Sequence, residues 1–129
     1  MKKLKKSLVL LLVGFGLIFG LSTQTSADTW NFTTHDGKWD GAANPTYSKP
    51  NVQVDVYPLQ GEIGRPGFEL EVRLCNANTG NCTVFKNVQW IKSGYGRVHF
   101  TNMKPGKYFV DIWDNVPGPV SGITTTVEY

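Results

Sequence analysis

The stretch FELEVRLCNANTGNC, Phe68 to Cys82, carries the clearest structural signal of this 129-residue chain. Its first half alternates between two kinds of residue, with apolar Phe68, Leu70, Val72 and Leu74 set against charged Glu69, Glu71 and Arg73. Successive side chains of a β-strand point to opposite faces, so this alternation predicts a strand with one buried face. The polar NANTGN run that follows predicts a turn.

The chain's two cysteines, Cys75 and Cys82, flank that polar run. Gly80 is able to take the positive φ of a short hairpin loop, and folding the hairpin about Asn78-Thr79 places the cysteines opposite each other. Directly opposed strand positions have Cα separations that bracket disulfide geometry. We therefore predict a disulfide that closes about eight residues and adds about 2.5 kcal/mol of stability on the loop-entropy relation.

Two other roles for the cysteines fit less well. A redox couple usually has two residues between its cysteines, whereas six lie between these. A metal site needs further ligands, and the two histidines, His35 and His99, lie far off in the sequence. We expect no metal site and no cofactor. Whether the stapled Asn76–Asn81 loop also contacts a partner stays open at this point.

Other segments of the chain show similar alternation or favour extended structure, and turn signals rich in glycine and proline separate them. These segments are DTWNFT, NVQVDVYPL, TVFKNVQWI, RVHFT, KYFVDIWD and GITTTVEY. The break in TVFKNVQWI at Lys86-Asn87 predicts a bulge, and Trp90 and Tyr108 are expected in the core. About seven short strands in about 100 residues predict an all-β fold, an antiparallel β-sandwich of immunoglobulin-like or Greek-key type.

One local pattern supports this fold. NMKPGKYFVDI, Asn102 to Ile112, has an apolar residue, a Pro-Gly turn and then a tyrosine at the opening of a strand, at Met103, Pro105, Gly106 and Tyr108. The segment resembles the turn and strand of Greek-key sandwich modules of the fibronectin, prealbumin and collagen-adhesin B types. That resemblance implies a sandwich fold, with Tyr108 as a candidate tyrosine corner, and implies no particular function.

The start of the chain has the three parts of a secretory signal peptide. Four lysines precede an apolar run from Leu8 to Leu21, and small residues stand at Thr25-Ser26-Ala27. The run is too short and glycine-rich to span a bilayer, and the pattern is typical of Gram-positive export. We expect residues 1–27 to be removed and residues 28–129 to form one secreted domain, where an oxidised cysteine pair is the rule.

Removal of the signal peptide changes the charge of the chain. The full sequence has 13 basic and 10 acidic residues, a formal net charge of +3. Because four lysines and no acids precede residue 28, the mature part has nine basic residues and a formal net charge of −1. The composition therefore gives no reason to expect nucleic acid or, after cleavage, a membrane as partner.

The mature part contains few sequence motifs that are typical of catalytic sites. No nucleophile motif surrounds either histidine, and His99 falls on the polar side of a strand, where a surface role is expected. Glu69 and Glu71 lie on the same side of a strand, and paired carboxylates can hydrolyse glycosides, but Arg73 on that face favours an ordinary charge ladder. Asp36 and Asp40 could hold calcium weakly, although turn chemistry accounts better for HDGKWDG. We expect no enzyme activity.

Surplus aromatic residues are the most informative functional feature. Several fall in loops or on the outward side of the predicted strands: Trp39, Tyr47, Tyr57, Tyr95, Phe109 and Trp113. Flat aromatic side chains beside Asp and Asn suit stacking on sugars or docking to proteins. The candidate binding residues are Trp39, Tyr57, Tyr95, Phe109 and Trp113, together with Asn78 at the tip of the stapled loop.

Three functions are compatible with these features. The first is a small secreted non-enzymatic binding protein whose ligand is a cell-wall or extracellular polysaccharide, or a protein. The second is a secreted antagonist, a bacteriocin-like toxin or an enzyme inhibitor, that presents the stapled loop. The third and most remote is a glycoside hydrolase that uses Glu69 and Glu71.

Overall fold

A computed structural model describes residues 28–63, 65–92 and 94–129 of the chain, so the predicted signal peptide at residues 1–27 lies outside the described residues. The elements in chain order are β1 (Asp28–Thr33), β2 (Gly41–Ala43), β3 (Val52–Pro58), α1 (Gln60–Ile63), β4 (Leu70–Asn76), β5 (Lys86–Asn87), β6 (Gln89–Lys92), β7 (Tyr95–Phe100), β8 (Tyr108–Asp114) and β9 (Ser121–Glu128). Within the described ranges, no helix has the length and apolar character needed to cross a membrane.

The strands form two antiparallel sheets. One has five strands in the order β1-β9-β3-β7-β6, and the other has four in the order β2-β8-β4-β5. Neighbours within a sheet are mostly distant in sequence, because the chain passes repeatedly between the two sheets. The predicted all-β antiparallel sandwich is confirmed. The described part of the chain contains nine strands rather than about seven.

The inward faces of the two sheets enclose one apolar core. The predicted alternation is confirmed in β3, β4 and β8, where Val52, Val54, Val56, Leu70, Val72, Leu74, Val110 and Ile112 are all buried. Phe32, Phe100 and Val120 complete the middle of this core. Interior packing of this kind is the main favourable contribution to the stability of such a sandwich.

The expectation that Trp90 fills the core is wrong. Trp90 lies on the edge strand β6, all four residues of which are exposed, and 40% of its own surface is accessible. Its cross-strand partner is Gly96 in β7, and its ring packs at 5.6 Å from the ring of Phe68. An edge strand with one neighbour has less structure above it to cover a large ring than a central strand has.

At Lys86-Asn87, where a bulge was predicted, the chain instead passes from one sheet to the other. Lys86 and Asn87 form β5, which pairs with β4 in the four-stranded sheet. Two residues later the chain has entered the five-stranded sheet as β6, where it pairs with β7. Buried Val88 lies at the crossing point and packs into the core. The register irregularity in this region falls in β6, between Trp90 and Lys92.

The two local predictions about turns are confirmed. The Tyr108 hydroxyl donates a hydrogen bond to the Lys104 carbonyl at 3.0 Å, which is the contact of a tyrosine corner. Cys75 and Cys82 are joined by a disulfide with their Cα atoms 3.9 Å apart, and they form an isolated antiparallel bridge beyond the main ladder. Gly80 has a φ of 75°, which the hairpin turn requires.

Candidate functional site

A cleft of about 590 Å³ lies on the outer face of the four-stranded sheet. Its walls and floor come from the loop between β1 and β2 and from outward side chains of β4 and β8, with Phe85 at one side. The lining residues are Thr33, His35, Asp36, Gly37, Lys38, Trp39, Asp40, Glu71, Arg73, Phe85, Asp111, Ile112 and Trp113. Pockets of several hundred cubic ångströms are the usual place of small-molecule binding.

The residues that form the floor of this cleft are neighbours because of the register between β4 and β8. In the β4–β8 pair, Glu71 lies opposite Trp113, and Arg73 lies opposite Asp111. The next outward pair is Cys75 with Phe109, so the disulfide marks one end of the same face. Because side chains directly opposite in an antiparallel pair lie about 5 Å apart at Cβ, these residues form a contiguous surface.

Two tryptophans stand at the sides of the cleft. The Trp39 ring stacks on the Phe109 ring, with centroids 5.2 Å apart and an interplanar angle of 6°. Trp39 is 43% exposed, so part of its ring remains accessible to a ligand beside Phe109. Trp113 is 49% exposed and meets His35 edge to face, with ring centroids 5.4 Å apart.

The floor between the aromatic rings is ionic. Arg73 Nε donates a hydrogen bond to Asp111 Oδ2 at 2.7 Å, and both side chains are about one-third exposed. The Arg73 guanidinium also lies over the ring of Phe85, 4.6 Å from its centroid. Of the charge ladder expected on this face, the structure has the pair of Arg73 with Asp111 of β8, and among the described residues neither Glu69 nor Glu71 forms an ion pair.

The loop that carries Trp39 is anchored at both ends. The Asp40 N–H donates to the Val110 carbonyl at 2.9 Å, and Asp40 Oδ2 accepts a hydrogen bond from the Ile112 N–H at 2.8 Å. At the other end, His35 Nε2 lies 3.2 Å from Asp114 Oδ2, and that carboxylate is buried. These contacts fix the loop to β8 and so hold Trp39 beside Phe109.

The carboxyl of Asp40 has a strongly shifted pKa. Burial raises the pKa of its carboxyl to about 7, against the lowering effect of the Ile112 N–H hydrogen bond. The nearby charges of Asp111 and Asp36 add to the increase. Asp40 therefore changes its protonation state close to neutral pH, directly beneath the Trp39 loop.

Asp36 and Asp40 each accept a hydrogen bond from a different main-chain N–H group. Asp36 Oδ1 accepts a hydrogen bond from the Lys38 N–H at 2.9 Å, as in a turn, while Asp40 is directed to β8. Within the described ranges, no group of three or more His, Cys, Asp or Glu side chains is suitably placed to hold a metal ion.

The remaining predicted binding residues lie elsewhere. Tyr57 and Tyr95 stack on each other, with centroids 5.1 Å apart, on the outer face of the five-stranded sheet. Asn78 lies in the exposed hairpin loop, where its N–H donates to Asn76 Oδ1 at 2.9 Å. Tyr47, which is 91% exposed, lies in the loop between β2 and β3. Of the predicted binding residues, Trp39 and Trp113 line the cleft, and Phe109 supports it by stacking on Trp39.

Glu69 and Glu71, the two glutamates of the hydrolase hypothesis, do not lie in the same site. Glu71 lines the cleft, whereas Glu69 lies outside it and accepts a hydrogen bond from Asn115 Nδ2 at 3.3 Å. The two side chains therefore do not face each other across the cleft, as the carboxylates of a glycosidase do.

Sequence reasoning missed the part played by Phe85 and His35. Phe85 lies in an irregular segment, and its position under Arg73 depends on the pairing of β4 with β5. His35 has a φ of 63°, a left-handed conformation that a sequence pattern does not reveal. The sequence HDGK, His35 to Lys38, indicates a turn at this place. The residues around it do not indicate that the loop folds over β8.

Comparison with known proteins yields likeness in structure alone. No protein-family model and no curated protein matches the chain. A carbohydrate binding module from Cellvibrio mixtus lichenase 5A, in complex with cellotriose, is 10% identical and aligns over 82% of this chain and 88% of that chain, with a TM-score of 0.37.

A second similar structure is that of the CBM22-1 and GH10 modules of Clostridium thermocellum endo-1,4-β-D-xylanase 10B, complexed with xylohexaose. It is 9% identical over 80% of this chain, with a TM-score of 0.37, and the aligned part is 26% of that chain. This chain therefore spans about a quarter of the length of the xylanase chain. Likeness at this level carries no inference about ligand or activity.

Proposed function

We propose that the protein is an exported, non-catalytic binding protein that takes a polysaccharide chain in the cleft of the four-stranded sheet. The observation that carries this proposal is the pair of half-exposed tryptophans, Trp39 and Trp113, on either side of a floor of charged side chains. Sugar rings have apolar C–H faces and polar edges. Such rings can stack on the indoles while their hydroxyls bind the Arg73 and Asp111 side chains.

The rigidity of the cleft supports the same proposal. Trp39 is held by stacking on Phe109, and its loop is fixed by the main-chain contacts of Asp40. A binding surface that is already in place loses less conformational entropy when the ligand docks. Direct ion pairing also keeps Arg73 and Asp111 in position at the centre of the floor.

Export is part of the proposal. The signal-like residues 1–27 precede a strand that begins at Asp28, and the disulfide between Cys75 and Cys82 suits an oxidising compartment. A protein that acts outside the cell meets polysaccharides of the wall or of its surroundings. We assign residues 28–129 to the mature binding domain.

The test is binding of purified residues 28–129 to insoluble polysaccharides, followed by titration with soluble oligosaccharides and detection by tryptophan fluorescence. We expect the variants Trp113→Ala and Trp39→Ala each to weaken binding by at least about tenfold, because each removes a stacking face. Trp90→Ala is the matched control, since Trp90 is also half-exposed but lies on β6, outside the cleft.

Two results would contradict the proposal. One is the absence of binding to any wall, plant or microbial polysaccharide by a correctly folded protein. The other is binding that Trp90→Ala weakens as much as Trp113→Ala does, because the ligand would then contact a different surface.

A second candidate function is antagonism through the stapled loop, in a bacteriocin-like toxin or an enzyme inhibitor. The observation in its favour is that this exposed loop is held rigid. In addition to the disulfide, Asn76 Oδ1 accepts hydrogen bonds from the N–H groups of Asn78 and Thr79 at 2.9 and 3.0 Å. Growth inhibition of neighbouring strains, lost on Asn78→Ala and retained on Trp113→Ala, would favour this candidate.

A further inference from the structure

Glu71 differs from the other carboxylates of the cleft. The other three each accept a hydrogen bond from a main-chain N–H or a guanidinium group, namely Asp36, Asp40 and Asp111. The Glu71 carboxylate, which is half-buried in the floor, has no hydrogen-bond or ion-pair partner among the residues that the structure describes. A carboxylate that no group of the protein pairs is available to a positively charged ligand, and such a pair is stronger inside a cleft than in bulk water.

The neighbour of Glu71 across the strand pair is Trp113, whose ring is 49% exposed. Elsewhere on this face, cations already lie over aromatic rings. The Arg73 guanidinium is 4.6 Å from the Phe85 centroid, and Lys107 Nζ is 5.1 Å from the Phe109 centroid. Among the described residues, no cation lies over either indole of the cleft, Trp39 or Trp113, and of these two it is Trp113 that pairs across the strands with Glu71. An indole attracts cations most strongly of the aromatic rings.

We infer that the cleft recognises a positively charged amino sugar, with a primary ammonium group held between the Glu71 carboxylate and the Trp113 ring. The inference deepens the proposed function and rests on it, because the remaining rings of the polymer stack on Trp39 and Trp113 in the same cleft. The ligand class is a polymer of N-deacetylated glucosamine units, in which each ring carries one ammonium group and one face for stacking.

Charge in the cleft is consistent with this ligand and opposes an acidic one. Four carboxyl side chains line the cleft, but the pKa of Asp40 is raised to about 7, so at pH 5.5 three carboxylates stand against the cationic groups of Lys38 and Arg73 and the imidazole of His35. Arg73 is neutralised by Asp111. A polyanion such as a phosphate- or uronate-containing glycan would be repelled by the unpaired Glu71 carboxylate at this end of the cleft.

The experiment compares three hexasaccharides at pH 5.5, where a glucosamine amine is protonated: the glucosamine hexamer, its N-acetylated form and cellohexaose. Binding is measured by tryptophan fluorescence and by calorimetry. We expect the glucosamine hexamer to bind the wild type about fivefold more tightly than the other two, and Glu71→Gln to remove this difference while retaining the remaining affinity. Glu69→Gln is the matched control, because it removes the same charge outside the cleft.

The failures are distinguishable. Equal affinity of the three hexamers, unchanged by Glu71→Gln, would overturn the amino-sugar inference and leave the proposed polysaccharide binding in place. Tighter binding of an acidic oligosaccharide would also overturn it. If no oligosaccharide binds and a lysine oligomer binds instead through Glu71 and Trp113, the ligand is a basic protein segment, and both the inference and the proposed function fail.

Discussion

At the scale of single residues, Asp40 shows how the position of a side chain decides its chemistry. In the sequence it is one of two aspartates in a turn-like loop, and the structure buries it under that loop with 3% of its surface exposed. Its hydrogen bond from the Ile112 N–H joins the loop to β8. The same carboxyl therefore supports the Trp39 wall of the cleft and resists ionisation.

The raised pKa of Asp40 predicts a pH-dependent stability. Between the ordinary pKa of 3.8 and about 7, the folded protein holds this proton while the unfolded chain has lost it, so the free energy of unfolding falls as pH rises through that interval. Asp40→Asn keeps an acceptor for the Ile112 N–H and cannot ionise. We expect the variant to be more stable than the wild type at pH 8, by roughly 2 to 4 kcal/mol at most.

Urea denaturation at pH 5, 6, 7 and 8 measures this effect. The control is Asp28→Asn, which removes a carboxylate from an exposed position that does not contribute to the raised pKa of Asp40. Equal pH dependence in the wild type and in Asp40→Asn would show that Asp40 does not carry a proton near neutral pH.

At the scale of elements, the hairpin after β4 has two independent supports. The disulfide closes the loop covalently, and the Asn76 side chain and main chain bind the loop N–H groups, including Gly80 N–H to the Asn76 carbonyl at 2.9 Å. The disulfide acts mainly by restricting the unfolded chain, whereas the hydrogen bonds hold the folded turn. The hairpin should therefore keep its shape without its sulfur bridge.

This predicts a moderate effect of reduction. Treatment with a thiol reductant should lower the free energy of unfolding by about 2.5 kcal/mol, the loop-entropy value for about eight residues, without loss of the β-sheet circular dichroism spectrum. The measurement is urea denaturation with and without reductant. The double variant Cys75→Ala, Cys82→Ala is the control and should not respond to reductant. Complete unfolding on reduction would mean that the staple holds the entire sandwich together.

At the scale of the whole molecule, the two sheets share one interior. Side chains from both sheets meet in a single buried cluster that extends from Phe32 in β1 to Val120 beside β9. All of β1 pairs with β9, from Asp28 with Thr126 to Thr33 with Ser121. A single shared core of this kind makes folding cooperative.

We therefore expect residues 28–129 to fold alone as one unit. The purified fragment should give a β-type circular dichroism spectrum and a single urea transition that is the same by circular dichroism and by tryptophan fluorescence. A shorter fragment, residues 34–129, is the control and should be much less stable, because it lacks β1 and the buried Phe32 ring. Separate transitions for the two probes would contradict a single cooperative core.

Much of this fold follows from local pattern. The period-two alternation in β3, β4 and β8 identified which side chains are buried, since each strand needs one apolar face whatever its neighbours are. The element β2, Gly41–Ala43, could not be predicted in this way, because three small residues carry no alternation. Its position depends on tight packing: a Cβ at Gly41 would lie 3.1 Å from Val110 Cγ2.

By itself, the sequence determined the sandwich class, the buried face of each main strand and the disulfide, because these depend on neighbours within a few residues of each other. Only the tertiary structure decided that Trp39 and Trp113 line one cleft with Phe109 stacked on Trp39, that Tyr57 and Tyr95 lie on the other sheet, and that Trp90 is on an edge. The physical reason is that strand order and register are set by packing between distant segments. Alternation shows that a side chain faces outward, and it does not show which sheet carries it.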